Sequence, residues 1–490
     1  MSTSASSSPR QQQQPLNIVG AGLAGALLAV LLARRGYQIT LYDRRPDPRE
    51  TTAEGGRSIN LALAARGIRA IERAGVMDRI RPLLITMRGR MVHDLSGATT
   101  LLPYGQREHE VIYSVSRAAL NRVLIEEAAR YNTVTLRFNQ TCLGASPDRN
   151  VLRFRDDSRL SNSDIATASA SADTPGRGAS RATEYEAPLT PTIATDGAGS
   201  AIRQSLAATN HVIAREDWLD HDYKELTIPA QTAASKLDGN SLHIWPRGGF
   251  MLIALPNTDG SFTATLFLAR TGTNSFASLQ SAGAVTTFFQ REFPDALALM
   301  PNLTRDFAAN PQGQLGTVRT TPWHVDGSVL LLGDAAHAIV PFHGQGMNAA
   351  FEDCAELDSM LDRRAAQAQW EPLFAELSAS RRPDADAIAA MALENYTEMR
   401  DTVLDAGFVR RKTIAMDLER RFPDRFIPRY SMVMFHPEIP YAEALGRGEI
   451  QAAILVELDA KRDPTGHIDA ALAERLVNNQ LEPIRSEEPI

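Results

Sequence analysis

The chain has 490 residues, more than the ~250–300 at which single hydrophobic cores stop growing, so we expect more than one structural unit. Its 43% hydrophobic and 22% charged residues are typical of a globular enzyme, and a net charge of −7 excludes a broad cationic surface for nucleic acid or acidic membrane. Two cysteines, Cys142 and Cys354, exclude a disulfide framework and a four-thiolate metal site, and no run approaches the ~20 apolar residues that cross a bilayer.

The first predicted elements form a strand–helix–strand unit. Residues 1–14 are rich in Ser and Gln, and we expect a disordered tail rather than a secretory signal or a transit helix. A buried strand at Leu16–Val19 precedes a helix at Leu23–Arg35 that ends before Gly36, and a second strand follows at Gln38–Tyr42. This order predicts a right-handed βαβ unit.

The next elements flank a segment of unusual composition. A helix is predicted at 117–131, with strands at 133–138 and 151–154. From 156 to 188 the chain is dominated by Ser, Ala, Thr, Asp and Gly without periodicity. Such a segment buries too little apolar surface to offset its ordering entropy, so we expect a mobile insertion. A strand resumes at 192–195.

The second half of the chain changes from strands to helices. Residues 223–268 hold runs of β-forming residues separated by turn residues, which predicts an antiparallel sheet. A buried parallel-type strand is predicted at 329–332, and from about residue 349 the chain is mostly helical. A β-rich unit is therefore inserted between pieces of an α/β unit.

Three glycines, Gly20, Gly22 and Gly25, form a Gly-x-Gly-x-x-Gly pattern between the first strand and helix. The first permits a tight turn, the second lets a pyrophosphate approach the backbone, and the third allows close helix–strand contact. Asp43 ends the second strand, where an acid binds ribose hydroxyls. In isolation the pattern also fits a purely structural turn, and the arginine pair after Asp43 leaves open a cofactor with a 2′-phosphate.

Two later motifs narrow the choice of cofactor. Asp196-Gly197 follows a predicted strand and begins a sharp turn, although alone it fits any loop. Asp334 follows the strand at 329–332 and can bind a ribityl hydroxyl, and Gly344–Asn348 opens a helix whose N–H groups can bind an isoalloxazine carbonyl. A disulfide-reductase-like enzyme is excluded because the chain has no second glycine pattern and no redox cysteine pair. The tryptophan-rich signature of flavin halogenases is also missing.

The three motifs in this order resemble the class A flavin monooxygenases, the single-component FAD-dependent aromatic hydroxylases. The resemblance implies that Asp196-Gly197 serves both FAD and NADPH and that Asp334 binds the ribityl chain. It also implies an FAD contact for Arg117 and a position near the flavin for Arg57. The FAD-binding residues implied by the motifs and the resemblance are Gly20, Gly22, Leu23, Ala24, Gly25, Tyr42, Asp43, Arg44, Arg45, Arg57, Ala62, Arg117, Cys142, Asp196, Asp334, Gly346, Met347 and Asn348.

Within this family the resemblance is most specific to the members that hydroxylate kynurenine. It runs from about residue 15 to 436, apart from the polar insertion. The stretches that carry it are Gly56–Leu63, Met87–His93, Pro103–Gly105, Ser114–Arg117, Glu225–Pro229, His243–Arg247, Leu331–Cys354 and Asn395–Arg400.

The resemblance implies that Arg90 and Tyr104 bind the α-carboxylate of kynurenine, helped by Asn395 and Tyr430. The chemistry agrees, since a guanidinium grips a carboxylate in bidentate fashion and a phenol adds a hydrogen bond. Without the resemblance, a lone arginine is more often a surface charge. In a strand, Arg88 and Arg90 share one face, so the residue types leave the choice between them open.

An apolar slot for the aromatic ring is also implied, although each of its residues, judged alone, is more typical of a core. His337 and His343 suggest a general base, but a histidine beside a turn is usually structural. We assign no acid–base residue and no metal ligand. The remaining predicted substrate-binding residues are Leu226, Ile228, Phe250, Phe342, Gln345 and Met399.

The expected fold class is α/β, with a Rossmann-type FAD-binding domain, an inserted antiparallel β-sheet substrate domain and a C-terminal helical region. The expected boundaries are 1–14 for the tail, 15–87, 105–222 and 318–380 for the FAD-binding domain, 88–104 and 223–317 for the substrate domain, and 381–490 for the helical region.

The activity that the resemblance implies is 3-hydroxylation of L-kynurenine to 3-hydroxy-L-kynurenine. The resemblance further implies bound FAD, NADPH and O2 as co-substrates, and oxygen transfer through a flavin C4a-hydroperoxide. It also implies a place in tryptophan degradation and NAD biosynthesis. The cofactor carries the chemistry, while the protein supplies position, charge and exclusion of water. Substrate held by Arg90 and Tyr104 is expected to gate flavin reduction.

Three other functions stay open: a class A hydroxylase of another anionic aromatic, a flavin-dependent reductase, and a nucleotide-binding scaffold without activity. Some eukaryotic members of the family carry a hydrophobic C-terminal anchor to the mitochondrial outer membrane, and we expect no such segment here. The family location at the cytosolic face of that membrane therefore stands beside a cytoplasmic one. A short amphipathic stretch at Ile450–Leu458 is the candidate for peripheral membrane association.

Overall fold

The structure is a computed structural model that describes residues 14–50, 60–159, 183–364, 369–402, 405–463 and 465–484. Three predicted features therefore lie outside the described residues: nearly all of the N-terminal tail, the position of Arg57, and the central part of the insertion.

The described strands are, in chain order, β1 (Leu16–Val19), β2 (Ile39–Tyr42), β3 (Asn60–Leu63), β4 (Ile85–Met87), β5 (Gly89–His93), β6 (Thr99–Pro103), β7 (Ile112–Ser116), β8 (Val134–Arg137), β9 (Gln140–Ser146), β10 (Val151–Asp156), β11 (Thr183–Pro188), β12 (Thr192–Ala194), β13 (Ile213–Ile228), β14 (Leu242–Pro246), β15 (Met251–Pro256), β16 (Phe262–Ala269), β17 (Gln312–Thr321), β18 (His324–Val325) and β19 (Val329–Leu331).

The described α-helices are α1 (Leu23–Arg34), α2 (Ala65–Ala74), α3 (Met77–Ile80), α4 (Arg117–Ala128), α5 (Ala201–Ala208), α6 (Ala230–Ala233), α7 (Ala282–Glu292), α8 (Pro294–Leu297), α9 (Leu303–Ala309), α10 (Asp334–His337), α11 (Gly346–Asp362), α12 (Trp370–Thr397), α13 (Ala406–Arg421), α14 (Arg429–Phe435), α15 (Tyr441–Ala460) and α16 (Ala470–Gln480).

The first strand lies near the middle of a six-stranded sheet ordered β18-β19-β12-β1-β2-β8. β1 pairs in parallel with β2 on one side and β12 on the other, and β19 continues the parallel order beyond β12. Helix α1, which connects β1 to β2, is almost wholly buried because its sequence is apolar on every face. The predicted βαβ unit and the later parallel strand are confirmed, and this sheet brings together pieces from three distant parts of the chain.

The described end of the predicted mobile insertion is a strand, which corrects that expectation. β11 pairs in antiparallel fashion with β10, and β10 pairs with β9, forming a three-stranded sheet. Tyr185 on β11 lies opposite the buried Phe154, with the two rings stacked 5.6 Å apart. This aromatic contact holds the strand in place although its neighbouring residues are polar. Residues 160–182 lie outside the described part of the chain.

The inserted β-rich unit is a seven-stranded sheet ordered β17-β13-β16-β15-β14-β5-β6. The strands within 223–268 pair in antiparallel fashion, as predicted, and the pairing of β14 with β5 from residues 89–93 is parallel. β13 begins at Ile213 and β17 ends at Thr321, so the sheet extends beyond the predicted limits of 223 and 317.

The two faces of this sheet have different neighbours. One face packs on α7, α8 and α9 in a core that includes Phe288, Phe289 and Phe293. The other face packs against residues 340–342 and the end of α12. Helix α12 leads into a π-helical turn at Glu398–Thr402. Helices α13, α15 and α16 share one core, whereas α14 packs in another core with β4 and α12. No helix among the described residues combines the length and apolar character that crossing a bilayer requires.

Candidate active site

A cavity of about 930 Å³ lies between the six-stranded sheet and the inner face of the seven-stranded sheet. Segments that follow three parallel strands border it: Gly22–Ala24 after β1, Gly197 after β12 and Asp334 after β19. This is the edge at which open parallel sheets bind ligands, because the strands there give way to helix N-termini. The cavity continues past Gly346 and Met347 to Arg90 and Tyr104.

The glycine turn is shaped by close backbone approach. Gly20 has φ +107°, and a Cβ there would lie 2.4 Å from the carbonyl oxygen of Thr195. A Cβ on Gly25 would lie 1.9 Å from the carbonyl oxygen of Gly20. By contrast, a Cβ on Gly22 would meet nothing within 4 Å, so the backbone here is open toward the cavity at the start of α1. The turn therefore leaves room for a diphosphate against helix N–H groups.

Asp43 supports this turn from behind. Its carboxylate accepts hydrogen bonds from the backbone N–H of Ala21 at 2.8 Å and of Arg45 at 2.8 Å, and it forms an ion pair with the Arg45 side chain. Asp43 and Arg45 do not border the main cavity, and the Arg44 side chain is exposed. Among the described contacts, Asp43 thus stabilises the loop, and its predicted ribose contact stays a prediction.

Two further predicted cofactor residues lie beside this loop rather than in the cavity. The Tyr42 ring stacks on Phe154 at 4.4 Å, and Cys142 is the cross-strand neighbour of Phe154. Burial raises the pKa of the Cys142 thiol to about 12, so the thiol is protonated at neutral pH. Both residues pack the sheet that supports the end of β2.

The Asp196-Gly197 turn presents an unsatisfied acid. Asp196 Oδ2 accepts a long hydrogen bond of 3.4 Å from Ile202 N, whereas Oδ1 is buried and has no hydrogen-bond partner among the described residues. Burial raises the pKa of the Asp196 carboxyl. Gly197 has φ +83° with open space beside it, and it lines the cavity together with Ala198. Asp196 itself does not line the cavity, so its predicted contact with FAD and NADPH stays a prediction.

The third motif is held by Asn348. Its Oδ1 accepts from Ala64 N at 2.9 Å, and its Nδ2 donates to the carbonyls of Ala62 and Gly344 at 2.8 Å each. Asn348 does not border the cavity, but it clamps the Ala62 segment against the loop that precedes α11. Ala62, Gly346 and Met347 then line the cavity at the N-terminus of that helix. A flavin ring fits here, since helix N–H groups favour an electron-rich carbonyl.

The far end of the cavity is a cationic and aromatic cluster formed by Arg90, Tyr104, His343 and Tyr430. The rings of Tyr104 and Tyr430 are stacked 5.6 Å apart, and His343 stacks on Tyr430 at 5.3 Å. The Arg90 guanidinium lies 4.9 Å from the centre of the Tyr430 ring. All four also line a second cavity of about 310 Å³ beneath the C-terminal helices. They therefore form the wall between the two cavities.

Arg90 is buried, and Arg88, which sequence reasoning could not separate from it, is exposed. Arg88 lies between β4 and β5, so the two side chains do not share a strand face. Arg90 donates to Glu398 at 3.0 Å and to Asn395 Oδ1 at 3.3 Å. A guanidinium has more N–H donors than these two bonds use. Arg90 is thus the arginine positioned to hold an anion at this end of the cavity.

Tyr104 and His343 bring unpaired polar atoms to this wall. The Tyr104 hydroxyl and His343 Nδ1 are buried without a hydrogen-bond partner among the described residues. Burial, followed by the charge of Arg90, lowers the pKa of His343 to about 3, so its ring is neutral at pH 7. Burial raises the pKa of Tyr104 well above 10, so the phenol keeps its proton. The phenol therefore remains available as a hydrogen-bond donor to a carboxylate.

The structure places three predicted substrate-binding residues outside the cavity. Leu226, Ile228 and Phe250 pack in the core beneath α7 and α9, on the opposite face of the seven-stranded sheet. The cavity side carries their alternate neighbours, of which Met251 and Ile253 are examples. Successive strand residues point to opposite faces of the sheet. A prediction that is shifted by one residue therefore names side chains on the face away from the cavity. The period-two alternation of β15 was the signal that could have identified these lining residues.

The remaining predicted substrate residues divide into two groups. Phe342 and Met399 line the main cavity. Asn395 lies behind it, where its Nδ2 donates to the carbonyl of Phe342 at 2.6 Å and its Oδ1 holds Arg90. Gln345 is fully buried and accepts from the Tyr441 hydroxyl at 2.8 Å, outside both cavities. Asn395 and Gln345 thus support the wall rather than face the main cavity.

The other cofactor and histidine predictions are placed as follows. Arg117 is exposed at the start of α4 and lines the cavity. Leu23 and Ala24 at the start of α1 also line it. His337 is buried and bonded through Nε2 to Asp353 at 2.6 Å, which supports the structural role expected for it. His343 was not assigned a function from the sequence, yet it is part of the wall of the site.

Fold and cavity together define an FAD-binding protein: the parallel sheet, the open glycine turn and the loop before α11 border one elongated cavity. The family model described as "FAD binding domain" matches residues 13–392. Among solved structures, the chain is similar to the tetrameric form of 2-methyl-3-hydroxypyridine-5-carboxylic acid oxygenase, with a TM-score of 0.61 and 16% identity over 80% of this chain and 94% of that one. It is also similar to P. aeruginosa PqsL in complex with 2-aminobenzoylacetate, with a TM-score of 0.59 and 19% identity over 79% and 97% of the two chains. These likenesses show the fold.

Curated relatives identify the family more closely. The chain is 45% identical over 473 residues to kynurenine 3-monooxygenase of Xanthomonas axonopodis pv. citri (strain 306), covering 96% of this chain and 98% of that protein. It is 45% identical over 482 residues to the protein of the same name from Xanthomonas campestris pv. campestris (strain 8004), covering 98% and 99%. The chain therefore belongs to the kynurenine 3-monooxygenase family of FAD-dependent monooxygenases. Because these relatives are bacterial, they lend no support to a mitochondrial outer-membrane location.

Proposed function

We propose that this enzyme hydroxylates L-kynurenine at ring position 3 with NADPH and O2 as co-substrates. The observation that carries the proposal is the wall at the end of the flavin cavity, where buried Arg90 lies beside the unpaired hydroxyl of Tyr104. An amino-acid substrate supplies the carboxylate that such a pair would bind. The names of relatives at 45% identity support the same substrate.

Different residues of the cavity would bind the carboxylate and the aromatic ring of such a substrate. Arg90 and Tyr104 would hold the carboxylate, with Tyr430 stacked behind them and Asn395 fixing the guanidinium. Apolar side chains such as Ile253 would hold the aromatic ring between this wall and Gly346. Because the carboxylate is anchored at one end, the ring is directed toward the loop that precedes α11. Position and exclusion of water are what these residues contribute.

FAD would be held by the glycine turn, Asp334 and the N-terminus of α11, and when bound it supplies the activation of O2 and the oxygen atom. None of the described histidines is placed as an acid or base for this reaction. His343 is neutral, and its role at the wall is limited to hydrogen bonding and stacking. Binding of the carboxylate at Arg90 would also signal occupancy, so we propose that it gates NADPH oxidation.

The test is to supply kynurenine and NADPH to the FAD-loaded protein and identify the product by mass and by position of the hydroxyl group. R90A should raise the KM for kynurenine by about a hundredfold or more, because a charge-assisted bidentate contact is lost. R88A is the matched control, since this neighbouring arginine is exposed and outside the cavity.

Three outcomes would contradict the proposal. One is the absence of 3-hydroxykynurenine with the wild-type protein, and another is equal kinetics of R90A and wild type. The third is faster hydroxylation of another anionic aromatic in a substrate panel scored by product. The gating proposal fails separately if kynurenine does not stimulate NADPH oxidation.

A further inference from the structure

Trp218 is an aromatic residue at the cavity that the functions described above do not use. It lies on β13, is 52% exposed, and lines the main cavity together with Gly197 and Ala198. The other three tryptophans of the chain, Trp245, Trp323 and Trp370, are buried. Because this half-exposed indole lines a ligand cavity, it offers a flat aromatic face to a bound molecule.

The indole rests on the neighbouring strand rather than extending freely into solvent. Trp218 is the direct cross-strand neighbour of Gly316 on β17. A Cβ on Gly316 would lie 2.6 Å from Cε3 and 2.9 Å from Cζ3 of the indole. The six-membered ring therefore lies against backbone where no side chain intervenes. The contact holds one side of the ring, and a register shift between Trp218 and Asp222 follows immediately along β13. The other side remains accessible as a preformed stacking surface.

The indole of Trp218 and the elements that would hold FAD belong to different sheets. Trp218 belongs to the seven-stranded sheet, whereas the glycine turn, Asp334 and Gly346 follow strands of the six-stranded sheet. Both sets border the same cavity. A flat ring stacked on Trp218 would thus share the cavity with the flavin without using its holding residues.

We infer that Trp218 is a stacking platform for a ring of the nicotinamide dinucleotide co-substrate, with Gly316 as the backbone on which the indole rests. The inference rests on the proposed NADPH-dependent reaction. A nicotinamide dinucleotide carries flat aromatic rings, which an indole face can bind by stacking. Stacking of this kind is tolerant of ring identity and depends on a flat aromatic face. The site therefore requires an aromatic residue at position 218 and no side chain at position 316.

The experiment compares W218L, W218F and G316V with wild type, using I213A as the matched control. Ile213 is on the same strand and 77% exposed, but it does not line the cavity. W218L and G316V should each raise the KM for NADPH about tenfold, a loss typical of one stacked ring, whereas W218F should stay within about threefold. I213A should match wild type, and the FAD content and the KM for kynurenine should be unchanged throughout.

A binding measurement independent of turnover completes the test. NADP+ is titrated into each FAD-loaded protein by calorimetry without kynurenine, and W218L should bind about tenfold more weakly than wild type. Equal NADP+ affinity and equal NADPH KM in W218L and wild type would overturn the inference. So would a loss in W218F equal to that in W218L, because the aromatic face would then be irrelevant. If G316V fails to fold, the W218L and W218F pair decides alone. Failure of the proposed function is distinct, since the wild-type protein itself would not form the hydroxylated product.

Discussion

Tyr104 carries a buried hydroxyl whose missing partner is its most informative property. The hydroxyl has no hydrogen bond among the described residues, although the ring is stacked on Tyr430. Leaving a buried donor unsatisfied costs about 1–3 kcal/mol, a cost that a bound carboxylate would remove. The Tyr104 hydroxyl therefore lowers the stability of the free protein and raises its affinity for a carboxylate ligand. Replacing Tyr104 by Phe removes only this hydroxyl and tests both effects.

The Y104F variant should bind kynurenine more weakly without becoming less stable. A hydrogen bond to a charged group is worth about 1.5–3 kcal/mol, so the KM for kynurenine should rise about tenfold or more. The melting temperature of the free protein should stay equal or rise slightly, because the orphan hydroxyl is gone while the ring stack remains. Steady-state kinetics and thermal unfolding check both parts. An unchanged KM, or a clear drop in melting temperature, would argue for a structural role of the hydroxyl.

His343 should make the protein sensitive to acid. Its pKa is lowered from 6.5 to about 3 by burial and then by the charge of Arg90. The unfolded chain takes up a proton below pH 6.5, whereas the folded chain does not until about pH 3. Its contribution to stability is therefore complete above pH 6.5 and is lost as the pH falls toward 3. At pH 5 the loss is on the order of 2 kcal/mol relative to pH 8.

The H343F variant removes this titration and keeps a ring against Tyr430. Its free energy of unfolding should fall less between pH 8 and pH 5 than that of wild type, by about 2 kcal/mol. Urea unfolding at the two pH values measures the difference, and other titrating groups cancel in the comparison. Parallel pH dependence in the two proteins would show that the imidazole of His343 is not held neutral by the fold.

The residues at this end of the cavity were not equally predictable from the sequence. Arg90 and Tyr104 came from the resemblance, and the residue types alone left Arg88 as an equal candidate. The deciding fact is that β5 begins at Gly89, so Arg88 falls outside the strand. Phe250 was assigned to the cavity although it lies on the far face of the sheet. A strand pattern identifies two faces, but only tertiary packing shows which face meets the cavity.

At the scale of elements, the glycine turn depends on contacts that a methyl group would break. A Cβ on Gly25 would lie 1.9 Å from the carbonyl oxygen of Gly20 and 2.5 Å from Thr195 Oγ1. G25A should therefore separate α1 from β1, and FAD content after purification should fall to about a tenth of wild type or less. G283A is the matched control, since that glycine lies in α7 with nothing within 4 Å. Full FAD content in G25A, measured by absorbance, would contradict this account of the turn.

Most elements were predictable because each has a strong local pattern. β1, α1 and β2 lie within about one residue of their predicted bounds, since an apolar run, a glycine and a periodic helix follow one another. The first half of β13 was missed because residues 213–220 are mostly exposed and show no alternation of apolar and polar residues. Pairing with β17 makes this segment a strand, and that pairing is tertiary. β11 was missed for a similar reason, because the contact of Tyr185 with Phe154 has no local signature.

At the scale of the whole molecule, the discontinuous FAD-binding domain was predictable because its three motifs stand in separate segments. The attachment of the C-terminal helices to it was not. Besides apolar packing, that attachment includes a buried ionic cluster of Arg66 on α2, Glu352 and Asp353 on α11, and Arg381 and Asp384 on α12. In the sequence these charges resemble solvated helix faces. Only their burial reveals that they join the flavin-side helix α11 to the C-terminal region.

Arg381 is the centre of this cluster, and its removal should therefore affect the whole molecule. It donates to Glu352 at 2.6 Å, Asp353 at 2.9 Å and Asp384 at 3.0 Å, all within the protein interior. R381A would leave these buried acids without their shared cation, a change that costs about 3–5 kcal/mol. The melting temperature should fall, and FAD should dissociate at the same lower temperature, because α11 links the cluster to the flavin site. Flavin fluorescence and circular dichroism during one thermal scan measure both transitions. The neighbouring R382A, outside the cluster, should melt like wild type; equal melting of R381A would mean that the cluster contributes nothing to the union of the two regions.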